Sequence, residues 1–421
     1  MHVNPGIFKA YDIRGIYPTD LNEEAAYAIG RAFVTFLQAD RVLVGRDMRL
    51  SGPQIFDAVA RGIMDQGADV INIGMVSTDQ FYFACSQKQL PGMMVTASHN
   101  PKEYSGFKMV RQMPYLLSGA EGIQDLRRIV ETDAFAPVAG KGAMSELDLS
   151  EQFVEAVLGL LDVHGLKPLK VVADTGNGMV GPILKRVFER LPIDLVGLYL
   201  EPDGSLPNHG LDPLQPENRA ELERRVVAES ADAGFAFDGD GDRFFVIDDR
   251  GEFVAGDYLT ALLGRYLLER RPGSKIVYDV RASWAVPQLI TAAGGIPLME
   301  RVGHAFIKRR MATDGALFGG EVTGHYYFEG FNYADSGIIP SLLIMEMLSK
   351  TGRKMSELLR SLEDCYFISG EINSSVPDGK AKMEELAARY ADGVIERMDG
   401  ISVSYPTWHF NVRGSNTEPL L

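Results

Sequence analysis

At 421 residues the chain is too long for one ordinary hydrophobic core, and 46% hydrophobic with 24% charged residues is the composition of a folded globular protein, not of a disordered or fibrous one. A formal charge of −15 sets the molecule against nucleic acid and anionic membranes, so any anionic ligand needs a local basic pocket. Cys85 and Cys365 are too few for a disulfide framework or a zinc cluster, no apolar run reaches membrane-spanning length, and the first residues lack a secretory signal, all of which fits a cytoplasmic location.

Residues 41–47 read basic, apolar, then acidic, the pattern of a buried strand. A second apolar strand is expected at 70–73. A third, Gly-Met-Met-Val at 92–95, feeds the loop Thr96-Ala-Ser-His-Asn-Pro101 and displays Ser98 at its carboxyl end. The order then recurs. A helical segment over 147–161 leads to strands at 170–174 and 195–200 and to Gly-Phe-Ala-Phe, which feeds Asp238-Gly-Asp-Gly-Asp-Arg243. A helical stretch over 259–268 opens the third round, with strands at 275–279 and 296–299 and the loop Gly320-Glu-Val-Thr-Gly-His325. Strands alternating with helices imply βαβ units and mixed, largely parallel sheets. Ligands gather beyond the carboxyl ends of such strands, so the three loops are expected to face one cleft.

After residue 363 the character changes, with a helical pattern over 380–398 and then Arg413-Gly-Ser-Asn-Thr-Glu-Pro419. The expected division is three related α/β domains over 1–148, 149–253 and 254–364, bearing the serine, the acidic loop and the third loop in turn. A smaller domain follows over 365–421, with a hinge near 363–368.

Ser98 in a His-Asn-Pro turn reads either as a backbone cap or as a nucleophile, and the Gly-x-Ser-x-Gly of common hydrolases is absent. Asp238, Asp240 and Asp242 alternate with glycines that permit a tight turn, so three hard oxygen donors converge and a divalent cation is their natural occupant; the alternative is a solvated acidic turn. Calcium-sensor geometry is rejected because positions six and twelve hold Arg243 and Asp249 instead of Gly and Glu. Arg243 puts a forked cation beside the metal loop, suited to phosphate. Gly176-Asn-Gly-Met-Val-Gly181 satisfies the dinucleotide pattern, but a glycine turn in any α/β unit explains it equally well. Glu321, Thr323 and His325 match vicinal hydroxyls of a sugar or are merely loop polars. Arg413, Ser415, Asn416 and Thr417 form an anion cradle or a helix cap. Cations near these motifs (Arg14, Arg46, Arg49, Lys108, Arg281, Arg301, Lys308) suggest a focused positive cleft within an acidic whole.

Taken in order, Phe8-Lys-Ala-Tyr-Asp-Ile-Arg-Gly15, the Ser98 loop, the acidic loop, the 320–325 loop and the 413–419 segment closely resemble the α-D-phosphohexomutases. Arg301-Val-Gly-His-Ala-Phe-Ile-Lys308 resembles the sugar-reading loop of their bacterial phosphomannomutase/phosphoglucomutase branch. The resemblance spans essentially the whole chain. It implies a heart-shaped enzyme around a central cleft, with a C-terminal domain of α+β type.

By that resemblance Ser98 is the phosphoserine, and Mg2+ lies between Asp238, Asp240, Asp242 and an oxygen of the Ser98 phosphate. Arg14, Lys108 and His304 are candidates for proton transfer, His99 supports the loop, and Arg243 stabilises transferring charge. Tyr11, Arg281, Gly303, Glu321, Thr323 and His325 bind the sugar, and Arg413, Ser415, Asn416 and Thr417 grip the phosphate that is not reacting. The implied reaction moves phosphate between the 1- and 6-positions of mannose and/or glucose through a hexose 1,6-bisphosphate, which serves as activator and intermediate. Small hexose phosphates are then the partners of a monomer or weak homo-oligomer, with no nucleic acid or membrane involved.

Ser105, Thr323 and Arg281 depart from the expected Asn, Ser and Lys, which blurs sugar preference but not reaction class. Family members continue past the last motif with a further strand and helix, so the sequence is expected to be truncated or, if Leu421 is its natural end, to have a loose fourth domain with weakened phosphate binding. Phosphoglucosamine mutase, a phosphatase and a sugar-phosphate-binding regulator without turnover are the competing readings.

Overall fold

The computed structural model describes residues 3–162, 165–414 and 420–421. Three mixed sheets follow one another along the chain, with a small antiparallel sheet after them. In each mixed sheet the basic-apolar-acidic strand lies between two parallel neighbours. Arg41–Arg46 is flanked in parallel by Asp69–Met75 and Gly92–Val95, Leu169–Asp174 by Ile193–Leu198 and Ala233–Phe237, and Lys275–Asp279 by Ile296–Glu300 and Phe318–Gly320. Val42, Leu43, Val44, Val171, Val172, Ile276 and Val277 are fully buried there, as strands covered on both faces require.

Each third strand is followed by an antiparallel partner: Tyr104–Gln112, Phe244–Ile247 and Tyr326–Phe328. Every functional loop is therefore the turn of a hairpin. These turns are longer than the two-residue Asn-Gly type that marks a hairpin, so the amino-acid order shows the loops without the returning strands.

Local signals set the helices. Asn22 accepts a hydrogen bond from the Ala25 amide (3.0 Å), and Glu23 and Glu24 occupy the first turn of Glu23–Leu37, where the helix dipole favours acids. That helix lies so close to Gly52–Asp65 that a Cβ on Gly62 would sit 2.1 Å from the Tyr27 carbonyl oxygen. One apolar cluster covers this side of the first sheet; a second, larger one runs from its other face through the second and third domains. At the junction Phe83, Phe153 and Phe331 meet with ring centroids 5.7 to 6.2 Å apart, so three domains share one core.

The glycine pattern at 176–181 is a packing device. A Cβ on Gly178 would lie 2.6 Å from the Gly239 oxygen, and one on Gly181 would lie 1.8 Å from the Leu200 oxygen. Backbone already fills the approach that a pyrophosphate would need. The turn instead seats the acidic loop, whose Gly239 carbonyl accepts from the Met179 amide at 2.9 Å.

In the fourth domain the helix Gly379–Arg389 precedes the antiparallel strands Val394–Glu396, Ile401–Ser404 and His409–Val412. The helical pattern expected to reach residue 398 thus ends at Arg389. Gly393 packs against Val403 and Tyr405, and the residues beyond it pair as a strand. Cys85 is buried and Cys365 exposed, both as free thiols. Among the described residues no helix is long and apolar enough to cross a membrane. Gly181→Ala is expected to lower the melting temperature through overpacking that costs roughly 1–3 kcal/mol, read by thermal unfolding; an unchanged melting temperature would contradict the close packing.

Candidate active site

The Ser98 loop and the acidic loop meet. Ser98 Oγ donates to Asp238 Oδ2 at 2.7 Å and lies 3.2 Å from His99 Nδ1. Ser98 itself is 3% exposed with φ at 48°, a left-handed backbone that costs a non-glycine residue about 1 kcal/mol or more. What holds it there is Arg49, 2% exposed, which donates to the carbonyls of Ser98, Asn100, Pro101 and Tyr104 at 2.7 to 3.0 Å. Asp47 pairs with Arg49 at 3.3 Å and accepts from its amide. One guanidinium thus fixes the whole turn, since its donors form a rigid fork.

The acidic loop is clamped across the domain boundary. Lys108 Nζ lies 2.7 Å from Asp240 Oδ2 and also pairs with Asp242, while Thr78 and Thr96 donate to Asp240 at 2.6 and 3.1 Å. Asp238 Oδ1 accepts from the amides of Gly241 and Arg243. Burial, then Asp240 and Asp242, push the Asp238 carboxyl up to about 7. Burial also acts on Lys108, but the two aspartates outweigh it and hold the ammonium well above its ordinary range.

The carboxylates of Asp238, Asp240 and Asp242 offer ligand atoms within 4.8 Å of one another, and Asp240 Oδ1 and Asp242 Oδ1 are buried without a hydrogen-bond partner among the described residues. Hard, converging, unengaged oxygens fit a divalent cation.

The third loop joins through Arg243, whose Nε donates to His325 Nε2 at 3.1 Å, while His325 Nδ1 faces Asp335 Oδ2 at 3.0 Å. The second bond settles which nitrogen carries the proton: Nδ1 gives it to Asp335, and Nε2 accepts. Asp335 pairs in turn with fully buried Lys308 at 2.7 Å. Glu321 accepts from the Gly303 amide at 3.3 Å and from the Tyr327 hydroxyl. Arg281 bonds Asp279 at 3.0 Å and reaches Thr323 at 3.5 Å and Glu321 at 3.7 Å. His304 stacks on His325 with centroids 6.4 Å apart; burial and then Lys308 depress its pKa, so the ring is neutral at pH 7. His99 is kept neutral likewise, by burial and then by Arg243. Tyr11 donates to the Val302 carbonyl at 3.1 Å, and Arg14 bonds Asn100 and Asp12.

Arg413 Nε donates to Asp399 at 3.1 Å. Ser415, Asn416 and Thr417 lie outside the described residues. The expected positive cleft needs correction: Arg49, Lys108 and Lys308 are buried and engaged with carbonyls or carboxylates, so they neutralise acids instead of lining a surface. Thr78, Asp335 and Asp399 carry no motif and were not singled out from the sequence.

Three family models match in order: phosphoglucomutase/phosphomannomutase alpha/beta/alpha domain I over 5–136, domain II over 151–251 and domain III over 255–366. The chain belongs to the phosphoglucomutase/phosphomannomutase family. A phosphomannomutase of Salmonella montevideo is 41% identical over 424 residues, covering 98% of this chain and 93% of its own. A protein of Xanthomonas campestris pv. campestris described as phosphohexose mutases is 42% identical over 419 residues, with the same coverage. A crystal structure of a phosphoglucomutase/phosphomannomutase family protein from Burkholderia thailandensis superposes with a TM-score of 0.89 at 35% identity, covering 100% of this chain and 92% of that one.

In a phosphohexomutase the serine loop must hold its place, so Arg49→Lys is expected to reduce kcat about 100-fold, the scale of a small misplacement, with little change in KM; steady-state kinetics read both. Beneath the acidic loop His209 Nε2 lies 3.2 Å from both oxygens of Asp174. Burial lowers the His209 pKa, but the hydrogen bond and charge of Asp174 outweigh it, so the folded value exceeds 6.5. A raised histidine stabilises fully below its unfolded pKa and loses that contribution as pH rises through the folded value. His209→Gln should therefore lower the melting temperature more at pH 6 than at pH 8.5.

Proposed function

We propose that this phosphohexomutase interconverts hexose 1-phosphates and 6-phosphates, of mannose and/or glucose, through a phosphorylated Ser98 and a bisphosphorylated sugar. The observation that carries the reading is the 2.7 Å contact of Ser98 Oγ with an acidic loop whose two other aspartates keep unengaged buried oxygens. Relatives described as phosphomannomutase and phosphohexose mutases support the substrate class. Magnesium suits the donor set of Asp238, Asp240 and Asp242 with a serine phosphate, and when bound it supplies charge against the phosphoryl oxygens.

In the first half-reaction a sugar hydroxyl attacks phosphorus, the P–O bond to Ser98 breaks, and the hydroxyl proton passes to a base. In the second, the Ser98 oxyanion attacks the phosphate at the other end of the sugar, and the departing sugar oxygen recovers the proton. The base therefore shuttles one proton with no net consumption. Of the three candidates, the Arg14 guanidinium does not give up its proton, and Lys108 keeps its own between two carboxylates. His304, neutral and with a buried Nδ1 that has no hydrogen-bond partner among the described residues, is the group that fits. Arg243 and Lys108 act as fixed cations, worth most in a site that excludes water. Glu321, Thr323, His325, Arg281, Gly303 and Tyr11 hold the sugar, and Arg413 holds the distal phosphate. The two free thiols fit a reducing cytoplasmic setting.

The test supplies mannose 1-phosphate, glucose 1-phosphate and glucosamine 1-phosphate in parallel, with magnesium and a bisphosphate activator. Turnover of mannose or glucose phosphate is expected, and Ser98→Ala should lower it about 1,000-fold or more while the fold persists. Preference for the glucosamine ester would replace the sugar assignment; inactivity on all three, or near-normal rates in Ser98→Ala, would overturn the mechanism.

A further inference from the structure

Asp399 lies in the turn between Val394–Glu396 and Ile401–Ser404 of the fourth domain, in a segment that matches none of the motifs. Its Oδ2 accepts from Arg413 Nε at 3.1 Å and from the Val302 amide at 3.0 Å. Val302 lies two residues before His304, and its carbonyl accepts from the Tyr11 hydroxyl at 3.1 Å. A single carboxylate oxygen thus ties the fourth domain to the sugar-reading loop of the third, which the first domain holds from its other side.

The placement is built in. Gly400 has φ at 70°, and a Cβ there would lie 2.1 Å from the Val412 oxygen and 2.7 Å from the Arg413 Cα, so the turn sits directly on the arginine. Asn411 Nδ2 donates to the Asp399 carbonyl at 3.0 Å and fixes it further. Among the described residues, Arg413 keeps a buried Nη2 with no hydrogen-bond partner. Its side chain is 16% exposed and that of Asp399 19%, so both are screened from bulk water but remain within reach of a ligand. One face of the guanidinium is occupied by the carboxylate, and another donor stands unengaged.

We propose that Asp399 is a positioning residue that acts through Arg413: an internal counter-charge that keeps the arginine and the loop at 301–304 drawn together until a phosphate dianion takes the arginine from it. The inference rests on the reading of Arg413 as the grip on the distal phosphate. A dianionic phosphate offers the fork two strong acceptors, where Asp399 engages Nε alone. Once the phosphate is bound, the two anions repel, and the carboxylate weakens the grip it prepared. A weakened grip serves a bisphosphate that must let go of Arg413 and present its other end. The Val302 amide shares that carboxylate oxygen with Arg413, so phosphate capture and the position of His304 are coupled.

Asp399→Asn tests this, because the amide oxygen still accepts from Val302 while the charge is gone. For a hexose 1-phosphate KM should fall about two- to fivefold, the scale of one partly exposed charge pair, and inhibition by inorganic phosphate should tighten by the same factor while kcat falls. Asp399→Ser, a second uncharged acceptor, should move KM the same way if the asparagine variant folds poorly. Unchanged or higher KM and weaker phosphate inhibition in a folded variant would overturn the proposal. A parent enzyme inert on every hexose phosphate would instead overturn the functional reading, so the two failures are distinguishable.

Discussion

The ammonium of Lys108 between Asp240 and Asp242 is the interaction on which the site depends. Three carboxylates lie together in a buried place where each would repel the others, and an uncompensated buried charge destabilises a fold strongly. Lys108 comes from the strand that leaves the serine loop, and the aspartates come from the turn of the next domain's hairpin. The same pair of contacts thus balances charge and brings two halves of the chemistry into register. Thr78 and Thr96 reinforce it from the first domain by donating to Asp240. Removing the cation would leave two carboxylates unpaired and the serine loop without its opposite wall.

Around that clamp the domains are arranged by repetition. The same strand order places a hairpin turn at the same end of each mixed sheet, and each turn carries a different set of groups: a hydroxyl, three carboxylates and a hydrogen-bonding set. A chain of contacts joins them, from Ser98 to Asp238, through Arg243 to His325, and on to Asp335 and Lys308. Asp79 adds a seam of its own, accepting from Ser336 of the third domain at 2.7 Å while Thr78 beside it bonds the second.

How much was legible in the amino-acid order follows from where the information lies. Buried parallel strands are unbroken apolar runs, so 41–47, 170–174 and 275–279 could be found directly, and the loops after the third strands carry unusual residues at short spacing. The antiparallel fourth strands have no tight-turn signature ahead of them and were passed over. In the C-terminal region the apparent helix was carried too far, because the periodicity does not register that Gly393 must pack beneath Val403. Within the site, Ser98, the three aspartates, Glu321 and His325 were evident from their motifs. Asp335 and Asp399 were not, since an isolated aspartate acquires a role only when distant chain brings a histidine or an arginine to it. Lys308 and Arg49 were noticed as cations, but nothing local shows that they face inward.

The Phe83–Phe153–Phe331 junction has a mechanical corollary. Dry aromatic contact makes the first three domains a single frame that cannot part without exposing apolar surface to water. The fourth meets that frame through the Asp399 bonds, a stacked Trp284–His409 pair with centroids 4.9 Å apart and a 3.8 Å approach of Arg281 to Glu371. Polar seams can trade partners with solvent at little penalty. The first three domains are thus held together by apolar contact, and the fourth is held to them by bonds that can exchange with water.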